Sequence, residues 1–288
     1  NEKLNALAKN ILNGVGANCN PEDLIFEMKK VIDNLKYGPY SKEYYKKKKS
    51  GELYVDKAKF AEWIKDKFNI INDEVNSARM YSGGVYNEVE ESQLKRIILE
   101  NLNGRFRSDM YLIKTTLELI KILPNNIEFK QLDLEENINF KNCILNITND
   151  KIIEHSPKII SGIQLNCDYN RDAKCEKFLQ WLKERVAEKD ILTIQEMIGY
   201  FFIKGVQAQK CFIIHGEGST GKSTLIKIIE EIIGSKNISN VQIQKLSERF
   251  MTARLYNKLV NIFADIPQHG IGDDSVFKPI VTGDRITG

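Results

Sequence analysis

Apolar residues recur at three- and four-residue spacing in LNALAKNIL and DLIFEMKKVIDNL, which predicts helices over residues 1–35. Between them GVGANCNPED supplies a turn and a helix start, with Asn20 ahead of Pro21 at the first helical position. The next stretch, KYGPYSKEYYKKKKSGELY (36–54), is rich in Lys and Tyr and broken by Gly38, Pro39 and Gly51. It reads as an exposed loop or linker. Helical spacing returns in KAKFAEWIKDKFNII (57–71). RMYSGGVYNEV (79–89) predicts two short strands around Ser82, Gly83 and Gly84. Two helices follow, near 91–104 and 108–122, and Pro124 stops the second.

Residues 127–170 change character, being β-branched with Asn and Asp turns, and predict short strands. From Asp172 helices resume in CEKFLQWLKERV and ILTIQEMIGYFFI. Then comes CFII, an apolar run of strand length, as in a buried parallel strand. It is followed by TLIKIIEEIIG, which sets Leu225, Ile228, Ile229, Ile232 and Ile233 on one helical face before Gly234. These changes divide the chain into residues 1–53, 54–170 and 171–288. The fold class expected is an α/β P-loop NTPase core, AAA+-like and truncated, preceded by a mainly helical α+β N-terminal domain.

The chain has 288 residues, enough for two domains, with 42% hydrophobic and 28% charged residues. Net charge is +3, which permits a nucleic-acid partner without requiring one. Five cysteines stand far apart with no CxxC pair, which argues against zinc and for reduced thiols. No apolar run approaches the roughly 18 residues of a membrane span, and no signal peptide is visible. A cytoplasmic protein is expected. The chain starts at Asn1 and stops at VTGDRITG, which reads as a fragment of something longer.

Candidate chemistry centres on Gly216-Glu217-Gly218-Ser219-Thr220-Gly221-Lys222-Ser223, followed by Thr224, which fits G-x-x-x-x-G-K-[ST] at every fixed position. Glycines let backbone amides wrap phosphate oxygens, and the following helix N-terminus adds partial positive charge. Lys222 is expected to reach the β- and γ-phosphates of ATP, and the Ser223 hydroxyl to hold Mg²⁺. A second apolar run, LVNIFADIP (259–267), carries Asp265 at its end, where a carboxylate is needed to hold the metal. Ile266 follows Asp265, so no second acid stands beside it to activate water. Glu217, Asp273 and Asp274 are the candidates for the base.

From about Tyr54 to Gly288 the chain resembles the C-terminal helicase part of phage and plasmid primases, of superfamily 3, alongside the poxvirus primase–helicase. The resemblance is carried in order by NFKNCILNITNDKIIEHSP, CDYNRDAKCEKFLQWL, IQEMIGYFFI, GEGSTGKST, LSERFMTARLYNKLVNIFADIP and FKPIVTGDRITG. It implies that residues 54–170 are the family's lead-in domain. It also implies a hexameric ring on single-stranded DNA, moving 3′ to 5′ with ATP, and a primase domain upstream in the parent protein, in a bacterial host cell and encoded by a mobile element. A polar sensor and an arginine finger are expected beyond Gly288. Lacking a finger costs on the order of 10³ in rate, so this chain alone is expected to bind nucleotide weakly and hydrolyse it poorly.

Weaker signals have plainer competing readings. Lys46, Lys47, Lys48 and Lys49, flanked by Tyr40, Tyr44 and Tyr45, can contact phosphates and stack bases, or be a solvated linker. Arg105 and Arg107 can touch a phosphate backbone, or solubilise a helix start. The family resemblance points Lys278 and Arg285 toward DNA or a neighbouring subunit, while Asp284 can pair locally. His215 reads as a packed strand residue, and Trp63 and Trp181 as core or half-buried aromatics. Two rival functions stay open. One is a nucleotide-gated DNA-binding or assembly module. The other is a small nucleotide kinase, whose lid would need arginines such as Arg249 and Arg254.

Overall fold

In the computed structural model, residues 42–73, 77–125, 130–264 and 275–284 are described. The helices expected over 1–35, and with them Tyr40, lie outside these residues. The chain divides into two compact units. One lies within the bounds Asn1–Met80 and Glu88–Asn126, the other within Tyr81–Asn87 and Ile127–Gly288.

In the first unit, strands β1 (Tyr45–Lys47) and β2 (Leu53–Val55) pair antiparallel, Tyr45 opposite Val55. This corrects the expected linker where it is described, over 42–54. Tyr44 is fully buried against Phe60 and Trp63, and among these residues only the Lys48–Gly51 turn reads as a loop. Helix α1 (Lys57–Lys67) begins at Asp56, whose carboxylate accepts from the Lys59 amide. It ends earlier than its apolar spacing predicts. Asn69 takes a left-handed conformation (φ 47°), and the β-branched Ile70 and Ile71 enter strand β3 (Ile70–Asn72). Strands β4 (Ala78–Ser82) and β5 (Val85–Glu88) form the expected hairpin, and β3 pairs antiparallel with β4.

Helices α2 (Glu91–Asn101) and α3 (Met110–Ile122) complete the first unit. Asp109 caps α3 by accepting from the Leu112 amide at 2.9 Å. At the other end of α3 the buried Lys65 donates to the Leu123 carbonyl at 2.6 Å. Burial pushes the Lys65 ammonium below its ordinary pKa. Phe60, Ile64, Leu94, Ile98 and Ile120 from the three helices are fully enclosed in one core.

The second unit opens with small sheets. Strand β6 (Lys130–Gln131) pairs parallel with β10 (Ile159–Ile160). Strands β7 (Asn137–Asn139), β8 (Ile144–Asn146) and β9 (Lys151–Ile153) form an antiparallel meander, as the β-branched stretch predicts. Asn139 is buried and ties three segments together. Its amide donates to the Gly84 and Ile163 carbonyls, and its Oδ1 lies 2.9 Å from His155 Nε2. Tyr86 is buried nearby and donates to the Pro157 carbonyl, and burial pushes its phenol up to about 12.

Helices α4 (Glu176–Lys183), α5 (Glu188–Tyr200) and α6 (Lys222–Ile233) follow. Leu225, Ile229 and Ile233 of α6 are buried against Met197 and Ile198 of α5, and Ile228 and Ile232 are half-buried beside them. The helical face expected from spacing is therefore the one that packs. After α6, strand β11 (Ile238–Ser239) pairs parallel with β12 (Val260–Asn261), and α7 (Phe277–Thr282) ends the described chain. The fold is mixed α/β with small sheets, and among the described residues none closes into a barrel.

Candidate functional site

The loop Gly216–Gly221 ends at the first turn of α6, and Gly221 (φ 96°) is the residue that turns the chain into the helix. Ser219 (φ 62°) is also left-handed, so the loop curls tightly before Lys222. Lys222 bends back over it. Its Nζ donates to the Gly216 carbonyl at 2.7 Å, the Glu217 carbonyl at 2.6 Å and Thr220 Oγ1 at 3.4 Å. Thr220 Oγ1 itself donates to the Glu217 carbonyl at 2.9 Å.

The first turn of α6 has no acidic residue and no side-chain cap. Its leading amides are the unsatisfied donors that every helix start carries, here beside an ammonium and the exposed hydroxyls of Ser223 and Thr224. That donor set suits an anion with several oxygens. The carbonyls that hold Lys222 are neutral, so an anionic oxygen offers the ammonium a stronger, charge-assisted partner.

A wall of this loop escaped the sequence reading. A Cβ at Gly221 would stand 2.9 Å from Trp181 Cζ2 and 3.0 Å from Arg185 Cδ. Arg185 lies over the Trp181 ring at 4.8 Å and donates to the Trp181 carbonyl and to Glu184. Trp181 lies in the last turn of α4 and Arg185 in the turn that follows it, and no spacing links them to the loop. Trp181 and Trp63 are both half-buried, as expected.

The apolar run ahead of the loop corrects an expectation. Residues 211–215 form no strand, and Ile213 is 70% exposed. A strand needs neighbours for its amides and carbonyls, and among the described residues no strand pairs with this run. Phe212 instead packs edge-on against Phe201 at 5.4 Å between ring centroids. His215 is exposed rather than packed in a strand.

Of the other candidates, Asp265, Asp273, Asp274 and Arg285 lie outside the described residues. Lys278 is exposed on α7. Asp284 pairs locally by accepting from the Thr282 hydroxyl at 2.6 Å. Arg254 lies in a 3-10 turn at Thr252–Leu255, and Arg249 stands over the exposed Phe250 ring. Lys46 and Lys48 belong to the first unit, ion-paired with Asp56 and Glu52, and Lys47 and Lys49 are exposed beside them. Arg105 and Arg107 sit at a 3-10 turn, Gly104–Phe106, where a helix start was expected; α3 begins only at Met110. No group of three or more metal-ligating side chains is found among the described residues. None of the described helices is long and apolar enough to cross a membrane.

A family model described as D5 N terminal like matches residues 28–186, more than half of the chain. The chain belongs to the D5 N terminal like family. The match takes in the described first unit and, from the second, the strands β6 to β10, helix α4 with Trp181, and Arg185 just after it. The D5 N terminal like family is associated with phage primase–helicase proteins of DNA replication. A second model, a family of unknown function (DUF5906), matches residues 214–288 and so begins two residues before the loop. No curated protein matches the chain.

Proposed function

We propose that this chain is the ATP-dependent helicase portion of a superfamily 3 primase–helicase of the phage and plasmid type. The observation that carries the reading is Lys222 folded into a glycine turn at the uncapped start of α6. A triphosphate supplies the anionic oxygens that this donor set lacks. The backbone amides of Gly216–Thr224 would wrap the phosphates, and Lys222 would turn from the Gly216 and Glu217 carbonyls to the β- and γ-oxygens. Ser223 and Asp265 would hold Mg²⁺, which would supply positive charge to offset the negative charge of the phosphates. Gly221 leaves room for Trp181 and keeps the turn open to its ligand.

Hydrolysis would drive movement on single-stranded DNA by a homo-oligomer, a hexamer when complete, with a primase domain upstream. The site of action is the cytoplasm of a bacterial host. A second reading, a nucleotide-gated DNA-binding or assembly module, draws on the separate core and the basic residues of the first unit.

The test is ATPase activity of the parent protein, with and without single-stranded DNA, beside Lys222→Ala and Asp265→Asn. DNA-stimulated activity lost in both variants supports the motor. Activity indifferent to DNA moves the assignment to a kinase or an assembly ATPase. DNA affinity without any turnover favours the binding module.

A further inference from the structure

Two adjoining segments of the first unit form a face with a local excess of positive charge. Residues 42–59 hold seven lysines and three acids, and residues 103–114 hold two arginines, one lysine and one aspartate. Together they carry a net charge of +6, twice the +3 of the entire chain, so the remainder is net negative. The two segments lie against each other. Tyr45 Oη accepts from the Asn103 amide at 3.0 Å, and the Tyr45 and Phe106 rings stand 5.8 Å apart. At the start of α3 the Lys57 ammonium lies 3.7 Å from the centre of the Tyr111 ring. Arg105 is close enough for its charge to act on Glu52 in the β1–β2 hairpin.

This face also shows large side chains to solvent. Tyr111 is 71% exposed and Met110 70%, side by side at the first turn of α3. Tyr54 of β2 is exposed on the hairpin. Tyr44 and Tyr45, which the sequence suggested as stacking residues, are taken by the core, and Tyr111 stands in the position they cannot fill.

We propose that the β1–β2 hairpin, the Gly104–Phe106 turn and the start of α3 form a docking face for single-stranded DNA. Lys47, Lys49, Lys57 and Arg105 meet phosphates, and Tyr111 stacks on a base. The combination of spread cations with an exposed ring suits single strands, because every unpaired base offers a π-face. A duplex hides those faces and would use only the cations. The exposed pair Lys48–Glu52 is weak enough to exchange for phosphate, whereas Lys46 stays with the half-buried Asp56. Binding here needs no nucleotide and does not depend on the loop at Lys222. The choice of DNA over RNA rests on the replication reading.

The experiment is fluorescence anisotropy of the full chain with labelled oligo-dT about 20 nucleotides long, without nucleotide, across a salt series. Tyr111→Ala is expected to weaken binding roughly 5- to 100-fold and Tyr111→Phe to restore it. Replacing Lys47, Lys49 and Arg105 by Gln is expected to flatten the slope of log affinity on log salt by about 0.7 for each phosphate no longer neutralised. Lys227→Gln, exposed on α6 and outside this face, is expected to bind like the parent chain. The proposal falls if Tyr111→Ala and the triple variant stay within about two-fold of the parent, or if Lys227→Gln weakens binding as much as they do. Tighter binding of duplex DNA or oligo-rU than of oligo-dT overturns the assignment to single-stranded DNA. Intact oligo-dT binding by this chain, beside a parent protein that shows no ATPase activity with or without DNA, would refute the motor and support this face.

Discussion

The helical core of the first unit and the run ahead of the phosphate-type loop both start from apolar sequence, and they end differently. Phe60, Ile64 and Ile98 disappear into a closed core, whereas Ile213 stays 70% exposed. An amphipathic helix satisfies its own backbone and needs only one apolar surface to cover. A buried strand needs two edges paired and two faces packed. The same hydrophobicity is thus worth burial in α1 to α3 and little in Cys211–His215 among the described residues. The sharpest way to break this contrast is a pair of truncations read by urea denaturation. Phe60→Ala is expected to cost about 3–5 kcal/mol. Ile213→Ser is expected to stay within about 0.5 kcal/mol of the parent. Equal losses would mean that the run ahead of the loop is packed after all.

A second contrast sits inside the second unit, between the tied meander and the open loop. Asn139 makes its three contacts while almost wholly enclosed. Asn139→Leu leaves the Gly84 carbonyl without that donor, while Ser161 still donates to the Ile163 carbonyl, and a buried group so orphaned costs about 1–3 kcal/mol. A fall in Tm is expected. An unchanged Tm would show that water reaches the Gly84 carbonyl.

The loop itself separates space from conformation. Gly221→Ala meets both a left-handed φ and the Trp181 ring at 2.9 Å. The backbone part alone costs about 1–2 kcal/mol. Gly218 has open space and no such φ, so Gly218→Ala is expected to be milder in both stability and nucleotide affinity. Pairing Gly221→Ala with Trp181→Leu is expected to recover the steric part only. Full recovery would mean that the φ carries no strain.

Helix positions were legible because their signal is local. The α6 face and the β4–β5 hairpin both follow from spacing and turn chemistry. The Gly216–Ser223 motif and the turn it makes into α6 were legible for the same reason. What the sequence hid is set by distant partners. Nothing local shows that Tyr44 is core while Tyr111 is exposed, since Tyr44 stands beside a run of lysines and Tyr111 beside Met110, Leu112 and Ile113. Nor does any motif bring Trp181 and Arg185 to Gly221, because that contact joins segments some forty residues apart. Asn69 stopped α1 through a backbone conformation that apolar spacing does not report.

The smallest effect expected tests how far surface charge matters beside burial. Glu91 opens α2 and is bonded by Lys95 at 2.7 Å and Lys121 at 3.0 Å. Lys95 and then Lys121 hold its carboxyl down to about 2, below its ordinary 4.5. Because the folded value is depressed, any stability Glu91 adds is fully present above about pH 4.5 and is lost as pH falls toward 2. The group is fully exposed, so solvent screening leaves that contribution small. Lys95→Met is therefore expected to raise the Glu91 midpoint in a carbon-detected NMR titration while leaving the urea midpoint at pH 7 nearly unmoved. The same titration in high salt should move the midpoint toward the ordinary value, since an exposed pair is screened. A midpoint that ignored both Lys95→Met and salt would mean that the α2 N-terminus, rather than the two lysines, holds the charge.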